Sequence, residues 1–380
     1  MFIDIHAVQN HSPANLNRDD LGAPKTCYFG GVIRSRISSQ CIKRSIRRSD
    51  AFKCLCGGIR TRRLAELISK KVCGEGQPEA GPAVRKRAAA ILERCGIAPK
   101  DEAKSDVLVY TTYEAVAEMS ALLREGDGKT EDALAEEFGR LIVERTAVPD
   151  MALSGRMLET GVLQETTVDA ALQVAHAIST HEARPEIDYY VAADDLPGDD
   201  AGAGFVDEAL FASACFYKYF SVHWEALVRN LKGNEKLAAH TVGAFLRGAV
   251  TVNPTGKQNS FASHCRPDGV LVEIKGSPLS YANAYANPAA PGERDIIAQS
   301  IAQLAQYVRD LDVGFGKPEH RFWFSPNLRY PLAAVEGGAE VPVSEVNVGR
   351  FDDLIAKVVA AIGHDWAAVQ AAVLQPEWAP

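Results

Sequence analysis

No Cys-x-x-Cys pair occurs in this sequence. Its eight cysteines stand at 27, 41, 54, 56, 73, 95, 215 and 265; only Cys54 and Cys56 are close, and no histidine is near them. Reduced, mostly buried thiols are therefore expected, not a zinc site. No apolar run approaches a membrane span, and Met1 to His6 has neither the basic nor the long apolar region of a secretory signal. The expectation is a soluble, cytoplasmic protein with no membrane partner. A nucleotide-binding loop is also missing. Gly256 and Lys257 lack both the upstream glycine and the following Ser or Thr. Positive charge is scarce: 41 Lys and Arg against 49 Asp and Glu leave a net of -8, which excludes a generally cationic protein.

What positive charge there is gathers early. Residues 17–48 hold Arg18, Lys25, Arg34, Arg36, Lys43, Arg44, Arg47 and Arg48 against only Asp19 and Asp20. A local basic patch on an acidic chain points to a polyanion. Ser38 or Ser39 is a good helix N-cap, and neither Pro nor Gly interrupts the residues after it until Gly57. In that helix Ile42 and Ile46 make an inward stripe, while Lys43 with Arg47, and Arg44 with Arg48, share faces. A solvated cationic face is the plain alternative. Like charges one turn apart weaken a helix by roughly 0.2–0.5 kcal/mol per pair, however, a cost that a bound anion offsets. Helix N-terminal N–H groups, two hydroxyls and the Gln40 amide beside a row of cations suit a nucleic-acid backbone. Asp19 and Asp20 raise the question of a Mg²⁺ site. No third acid stands at a helpful spacing, so a structural role is expected, with no metal and no other cofactor.

Along the chain, Phe2 to Val8 alternates as a first strand and leads into a loop over Asn10–Lys25. Three- and four-residue apolar spacing predicts helices over Arg63–Val72, Ala83–Arg94, Val107–Leu123, Thr130–Thr146 and Val168–His181, with Thr130 and Thr167 as caps. His176 and His181, five apart, read as packing residues. Ile187–Ala192 and Leu210–Val222 read as a hairpin whose tip, Asp194 to Glu208, has six acids and no bases. Such a tip meets nucleic acid only by wedging Leu196, Phe205 or Val206 against bases; a disordered acidic loop is the alternative. Phe216 to Phe220 is the densest aromatic run and is expected in the core. Lys257 offers one cation beside two amides for a backbone contact. Asn234–Val252 and Ile296–Leu311 read as helices, Gly269–Gly276 and His320–Ser325 as strands, Phe351–Ile362 as a closing helix and Asp365–Pro380 as a tail. Helices inserted between strands imply an α+β chain.

Three groups of residues carry a resemblance: His6, His11, Leu16 to Asp20 and Phe29 to Gly31; Arg36 to Arg44; and Asp150 to Met157 with Val174 to His181 and Ile187 to Leu196. Together they closely resemble the CasC family, the crRNA-binding backbone subunits of the type I-E CRISPR surveillance complex, Cascade. The resemblance implies a modified RRM- or ferredoxin-like palm with a helical fingers insertion and a β-hairpin thumb. The palm would be 1–59 and 182–380, the fingers 60–181 and the thumb 191–211. It implies a non-enzymatic subunit whose partners are the CRISPR RNA, further copies of itself, other Cascade subunits and, through the guide, target DNA. In that role Arg18, Lys25, Lys43, Arg44 and Arg47 neutralise phosphates, and Ser38, Ser39 and Gln40 hydrogen-bond backbone oxygens. Arg156 and Met157 match the family's Ser-Gly-Arg-Met segment against the guide, and Met157, Phe205 and Val206 prop bases apart. Two alternatives stand: a metal-dependent ribonuclease subunit cutting through Asp19 and Asp20, and a free-standing RRM-like regulator.

Overall fold

Strand β1 (Phe2–Ala14) lies inside a mixed sheet and outruns the alternation of Ile3, Ile5 and Ala7. Both of its faces are covered, so polar side chains are buried with the apolar ones and find partners. Asp4 accepts the Leu279 N–H at 2.8 Å, His6 Nδ1 lies 2.8 Å from the Tyr217 hydroxyl, and Gln9 donates to Asn253 and to the Cys265 carbonyl, each at 2.8 Å. A strand buried on both sides does not keep the half-polar alternation from which strand length is read. β1 therefore takes residues 10–14 from the expected loop.

This computed structural model describes every residue except 54, 75–80, 102–103, 126–127, 158–166, 193–204, 291, 293, 345 and 373–380. The chain divides into two units, one of Met1–Ala51, Gln173–Val222 and Val242–Ala367, the other of Phe52–Leu172, His223–Thr241 and the residues from Ala368. In the first unit β2 (Thr26–Phe29) and β3 (Val32–Ile37) form a hairpin. Its two-residue turn has positive φ at Gly30 (62°) and Gly31 (84°), which glycine adopts without strain. The sheet runs in the order Val346–Val348, His320–Phe324, Gly269–Lys275, β1, Phe205–His223, Ala177–Ser179, β3, β2. Strand Glu186–Ala192 pairs with the start of Phe205–His223, from Ala192 opposite Phe205 to Glu186 opposite Phe211. The expected hairpin is thus present, with a return strand that starts five residues earlier than Leu210.

The helix Ile296–Phe315 packs Ile301, Leu304 and Val308 against Leu271, Tyr217, Tyr219 and Trp323. Phe220 meets Phe245 edge to face at 5.7 Å. Phe216, Tyr217, Tyr219 and Phe220 are all buried, so the aromatic run is core and leaves neither set free to stack bases. Helix α1 (Ser39–Arg47) buries Ile42 and Ile46, each worth about 1.5–3 kcal/mol. A Cβ on Gly248 would sit 2.8 Å from Ile46 Cγ2, so a side chain at that position would push α1 outward.

In the second unit the helices Leu64–Cys73, Gly81–Arg94, Tyr113–Glu125 and Glu131–Glu144 share a core of Ile68, Ile91, Met119, Leu134 and Phe138. Thr130 caps the last of these, its Oγ1 accepting from Ala133 N at 3.3 Å. Among the described residues no helix is long and apolar enough to cross a membrane.

Four expectations are corrected. The helix predicted through to Gly57 stops at Arg47, where the Ser49 hydroxyl donates to the Ile46 carbonyl at 2.7 Å and a separate turn, Asp50–Lys53, follows. Val109–Thr112 is a strand paired with Gly58–Thr61, so the helix read from Val107 begins at Tyr113. Val168–His181 is not helical: Ala177–Ser179 fills a gap in the sheet, with Arg36 and Tyr217 both opposite Ile178. Its i,i+3 apolar spacing is real, but a vacant place between two strands outweighs it. The expected tail contains a helix, Trp366–Ala372.

Candidate nucleic-acid interface

Asn17 organises the basic stretch. Its carbonyl accepts the Lys25 N–H at 2.9 Å, and its side-chain Oδ1 accepts the Ser38 N–H at 2.8 Å. Lys25 in turn accepts the Arg36 N–H at 2.8 Å. The loop 15–25 is thereby fastened to the start of α1 and to β3. Within it Asp19 Oδ1 accepts the N–H groups of Leu21 and Ala23, both at 2.9 Å. That is the local carboxylate-to-backbone turn for which Asp is suited, and it leaves Arg18, Asp20 and Leu21 facing outward. Asn15 Nδ2 reaches the Gly22 carbonyl at 2.9 Å and that of Leu210 at 2.8 Å, tying the loop to the hairpin arm. The backbone at Gly256 packs so closely on the loop that a Cβ there would lie 2.5 Å from the Leu16 carbonyl. Lys257, next to it, is held with φ 45°.

Arg18 and Arg44 are exposed; Lys25, Lys43 and Lys257 are half-buried. None of the five makes an ion pair with a described residue, whereas Arg140, Arg247, Arg294 and Arg321 all do. Arg47 completes the last turn of α1. Burial raises the Cys41 thiol above its ordinary value, while the Ser45 hydroxyl and the charges of Lys25, Arg44 and Lys218 pull it back. Lys218 is buried, with its Nζ 2.5 Å from Gln9 Oε1, and burial lowers its pKa to about 8. Arg36 donates to the Thr26 carbonyl at 3.1 Å and to His176 Nδ1 at 2.9 Å. Burial first, then the charges of Arg36 and Lys25, keeps the His176 ring below its usual pKa and hence neutral. His181 packs as expected, its Nε2 accepting the Cys215 N–H at 3.1 Å.

Several predicted site residues sit elsewhere or do other work. Ser38 is the N-cap, its Oγ accepting from Cys41 N at 3.3 Å; Ser38 and Ser39 are 8% and 7% exposed. Of the Ser38–Gln40 trio only Gln40 is fully presented. Arg156, expected beside a nucleic acid, is 4% exposed and donates to the Ile142 carbonyl at 2.7 Å and to that of Tyr110 at 3.3 Å. It braces the second unit. Its neighbour Met157 is 73% exposed. Phe205 and Val206 lie on the hairpin opposite Ala192 and Val191, and their side chains fall outside the described part, as does the acidic tip at 193–204. Sequence reasoning missed Asn17, Lys218 and the pairing of Arg36 with His176. The one signal for Lys218 was a lysine inside an aromatic strand.

Among the described residues no three His, Cys, Asp or Glu side chains are grouped to hold a metal ion. What the arrangement offers is positive charge at Arg18, Lys25, Lys43 and Arg44 that makes no ion pair with a described residue, on a frame of backbone hydrogen bonds, which suits an extended polyanion.

A family profile described as CT1975-like protein matches residues 3–345. A solved chain titled "CRISPR RNA-guided surveillance complex, pre-nicking" aligns with a TM-score of 0.80 and 27% identity, over 95% of this chain and 100% of that one. A chain titled "CRISPR RNA-guided surveillance complex" aligns with a TM-score of 0.70 and 24% identity, over the same shares, and shows likeness of fold. No curated protein matches.

Proposed function

The chain belongs to the CT1975-like protein family, and on that premise we propose that it is the repeated backbone subunit of a Cascade-type CRISPR complex, of type I-E. In this reading it acts in the cytoplasm and performs no catalysis. It grips the sugar-phosphate backbone of the CRISPR RNA without reading its sequence. Copies of it stack along the guide beside other Cascade subunits, and the guide pairs with target DNA. The first unit would be the palm with its hairpin thumb, an elaborated RRM-like sheet, and the four-helix core of the second unit the fingers.

The observation that carries the reading is the set Arg18, Lys25, Lys43 and Arg44: cations without ion pairs among the described residues, held by Asn17 on one frame. Uncompensated charge on an acidic chain is stabilised by phosphates, and contacts to phosphate are blind to base identity. The 27% identical chain from a surveillance complex supports it over its full length. The bonding of Asp19 to its own loop favours a structural role over metal-assisted cleavage.

Substituting Lys43→Ala and Arg44→Ala together tests it. RNA affinity should fall about equally for unrelated sequences, and the slope of log affinity on log salt should shrink by roughly one for each phosphate no longer neutralised. Unchanged binding would remove this basic patch from consideration. Size-exclusion chromatography with and without a CRISPR RNA should show RNA-dependent oligomers.

A further inference from the structure

Tyr28 is an aromatic side chain on β2, the last strand on its side of the sheet. Its ring is 75% exposed, yet its hydroxyl donates to the Gly31 carbonyl at 2.8 Å. A ring held at its Cβ end and at its hydroxyl keeps its orientation, and what it still offers a partner is its flat π-surface. Ile33, directly opposite across the hairpin, is 52% exposed. Single exposed apolar residues are common on protein surfaces. An anchored aromatic paired with a second apolar side chain, close to the basic stretch, is a more particular arrangement.

The strand registers place this pair. Tyr28 stands opposite Ile33, Ile37 opposite Ala177, and Ser179 opposite Phe216. Because side chains alternate along a strand, Tyr28, Ile33 and Ile37 share the face of Phe216 and Phe220. Phe245 meets Phe220 on that face, and Gly248, about one turn along the same helix, packs against Ile46 of α1. Tyr28 therefore lies on the side of the sheet that carries α1 and its cations. The Arg36 guanidinium sits on the Thr26 carbonyl at 3.1 Å, two residues from Tyr28 along an extended strand, or about 7 Å. Lys25 is one residue further.

We infer that Tyr28 and Ile33 form a stacking platform for one nucleobase of the strand whose phosphates meet the cations. The inference rests on the backbone-binding reading and adds a base contact to it. Every base has a π-face, so such a contact strengthens binding without selecting a sequence. Cations within two or three residues favour a nucleic acid as the occupant, because an apolar protein segment would cover that charge without balancing it.

The test measures binding of the full chain to a single-stranded RNA and to an abasic ribose-phosphate strand of the same length and charge. Tyr28→Ala should lower affinity for the RNA about tenfold per occupied platform, while affinity for the abasic strand and the salt slopes of both stay as they were. Tyr28→Phe, which keeps the ring, should retain most of the difference between the two strands. The fluorescence of a 2-aminopurine strand should be quenched more by the parent chain than by Tyr28→Ala. Should Tyr28→Ala fail to fold, Tyr28→Leu, apolar but without a π-face, takes its place. An equal loss on both strands, or no loss on either, overturns the inference and leaves the backbone reading standing. So does a variant that binds RNA as before but no longer forms RNA-dependent oligomers, since the platform then meets protein. If Lys43→Ala with Arg44→Ala weakens neither strand, the backbone reading itself fails.

Discussion

Arg34 shows how far composition reaches at a single residue. In the sequence it counts with Arg36 and Arg44 as one cation of a patch. In the fold it is fully buried, and its guanidinium donates to the carbonyls of Phe29 at 3.2 Å, Ser179 at 3.1 Å and Tyr285 at 2.7 Å. It clamps β3 to neighbouring chain and is closed to a ligand. A lysine has the charge but not the fork that serves three acceptors. Arg34→Lys should therefore destabilise the protein by about 3 kcal/mol in denaturant unfolding, whereas Arg44→Ala should change stability by less than about 0.5 kcal/mol. An Arg34→Lys protein as stable as the parent would refute the clamp. Arg156 teaches the same lesson. Which arginines are exposed depends on carbonyls contributed from distant parts of the chain, and no local pattern records those.

At the scale of elements, α1 is where local sequence succeeds. Ser38 as cap, Ile42 and Ile46 as buried stripe, and Lys43 and Arg44 off that stripe follow from spacing alone, because capping and helical periodicity are properties of neighbouring residues. Ser38→Ala should cost about 1 kcal/mol in unfolding experiments. The attachment of the loop to that helix was not legible: the Asn17 side chain joins residues 21 positions apart in sequence. Asn17→Ala alters no charge, yet it should weaken RNA binding without changing the salt slope, since the same cations remain but are less well placed. A changed slope with unchanged affinity at low salt would contradict that division of labour. The helix expected over Val168–His181 failed for the opposite reason. A three-residue strand owes its conformation to the edges on either side of it, and its own spacing is outvoted.

At the scale of the whole molecule, the sheet carries a buried ionic network that sets its tolerance of acid. Glu273 is fully buried between Lys275, at 2.6 Å, and Arg321, also at 2.6 Å, and Arg321 makes a two-pronged pair with Asp312 at 2.6 and 2.7 Å. Burial alone would raise the carboxyl's pKa. The charges of Lys275, His6 and Arg321 outweigh it and hold the value to about 2; His6, itself buried and lowered to about 3, is neutral near pH 7 and leaves the two cations to act there. The folded value lies below the ordinary 4.5, so the stabilisation is complete above that pH and is lost as pH falls from about 4.5 towards 2. Thermal melts across this range should show a decline that Glu273→Gln makes shallower but does not abolish, because the buried His6 and His11, lowered to about 3, lose stability over the same range; the variant should also be less stable at neutral pH. A parent whose melting temperature is flat between pH 5 and 3 (about the span where the linkage acts) would show that the network is not the acid-sensitive part. By itself the sequence determined the class of the fold, the helix that bears the cations and the sign of the charge gathered there, because periodicity, caps and charge are set by residues close together along the chain. Only the tertiary structure decided which cations make no ion pair with a described residue and which are clamps, because burial and hydrogen bonding are settled by residues that meet only when the sheet closes around them.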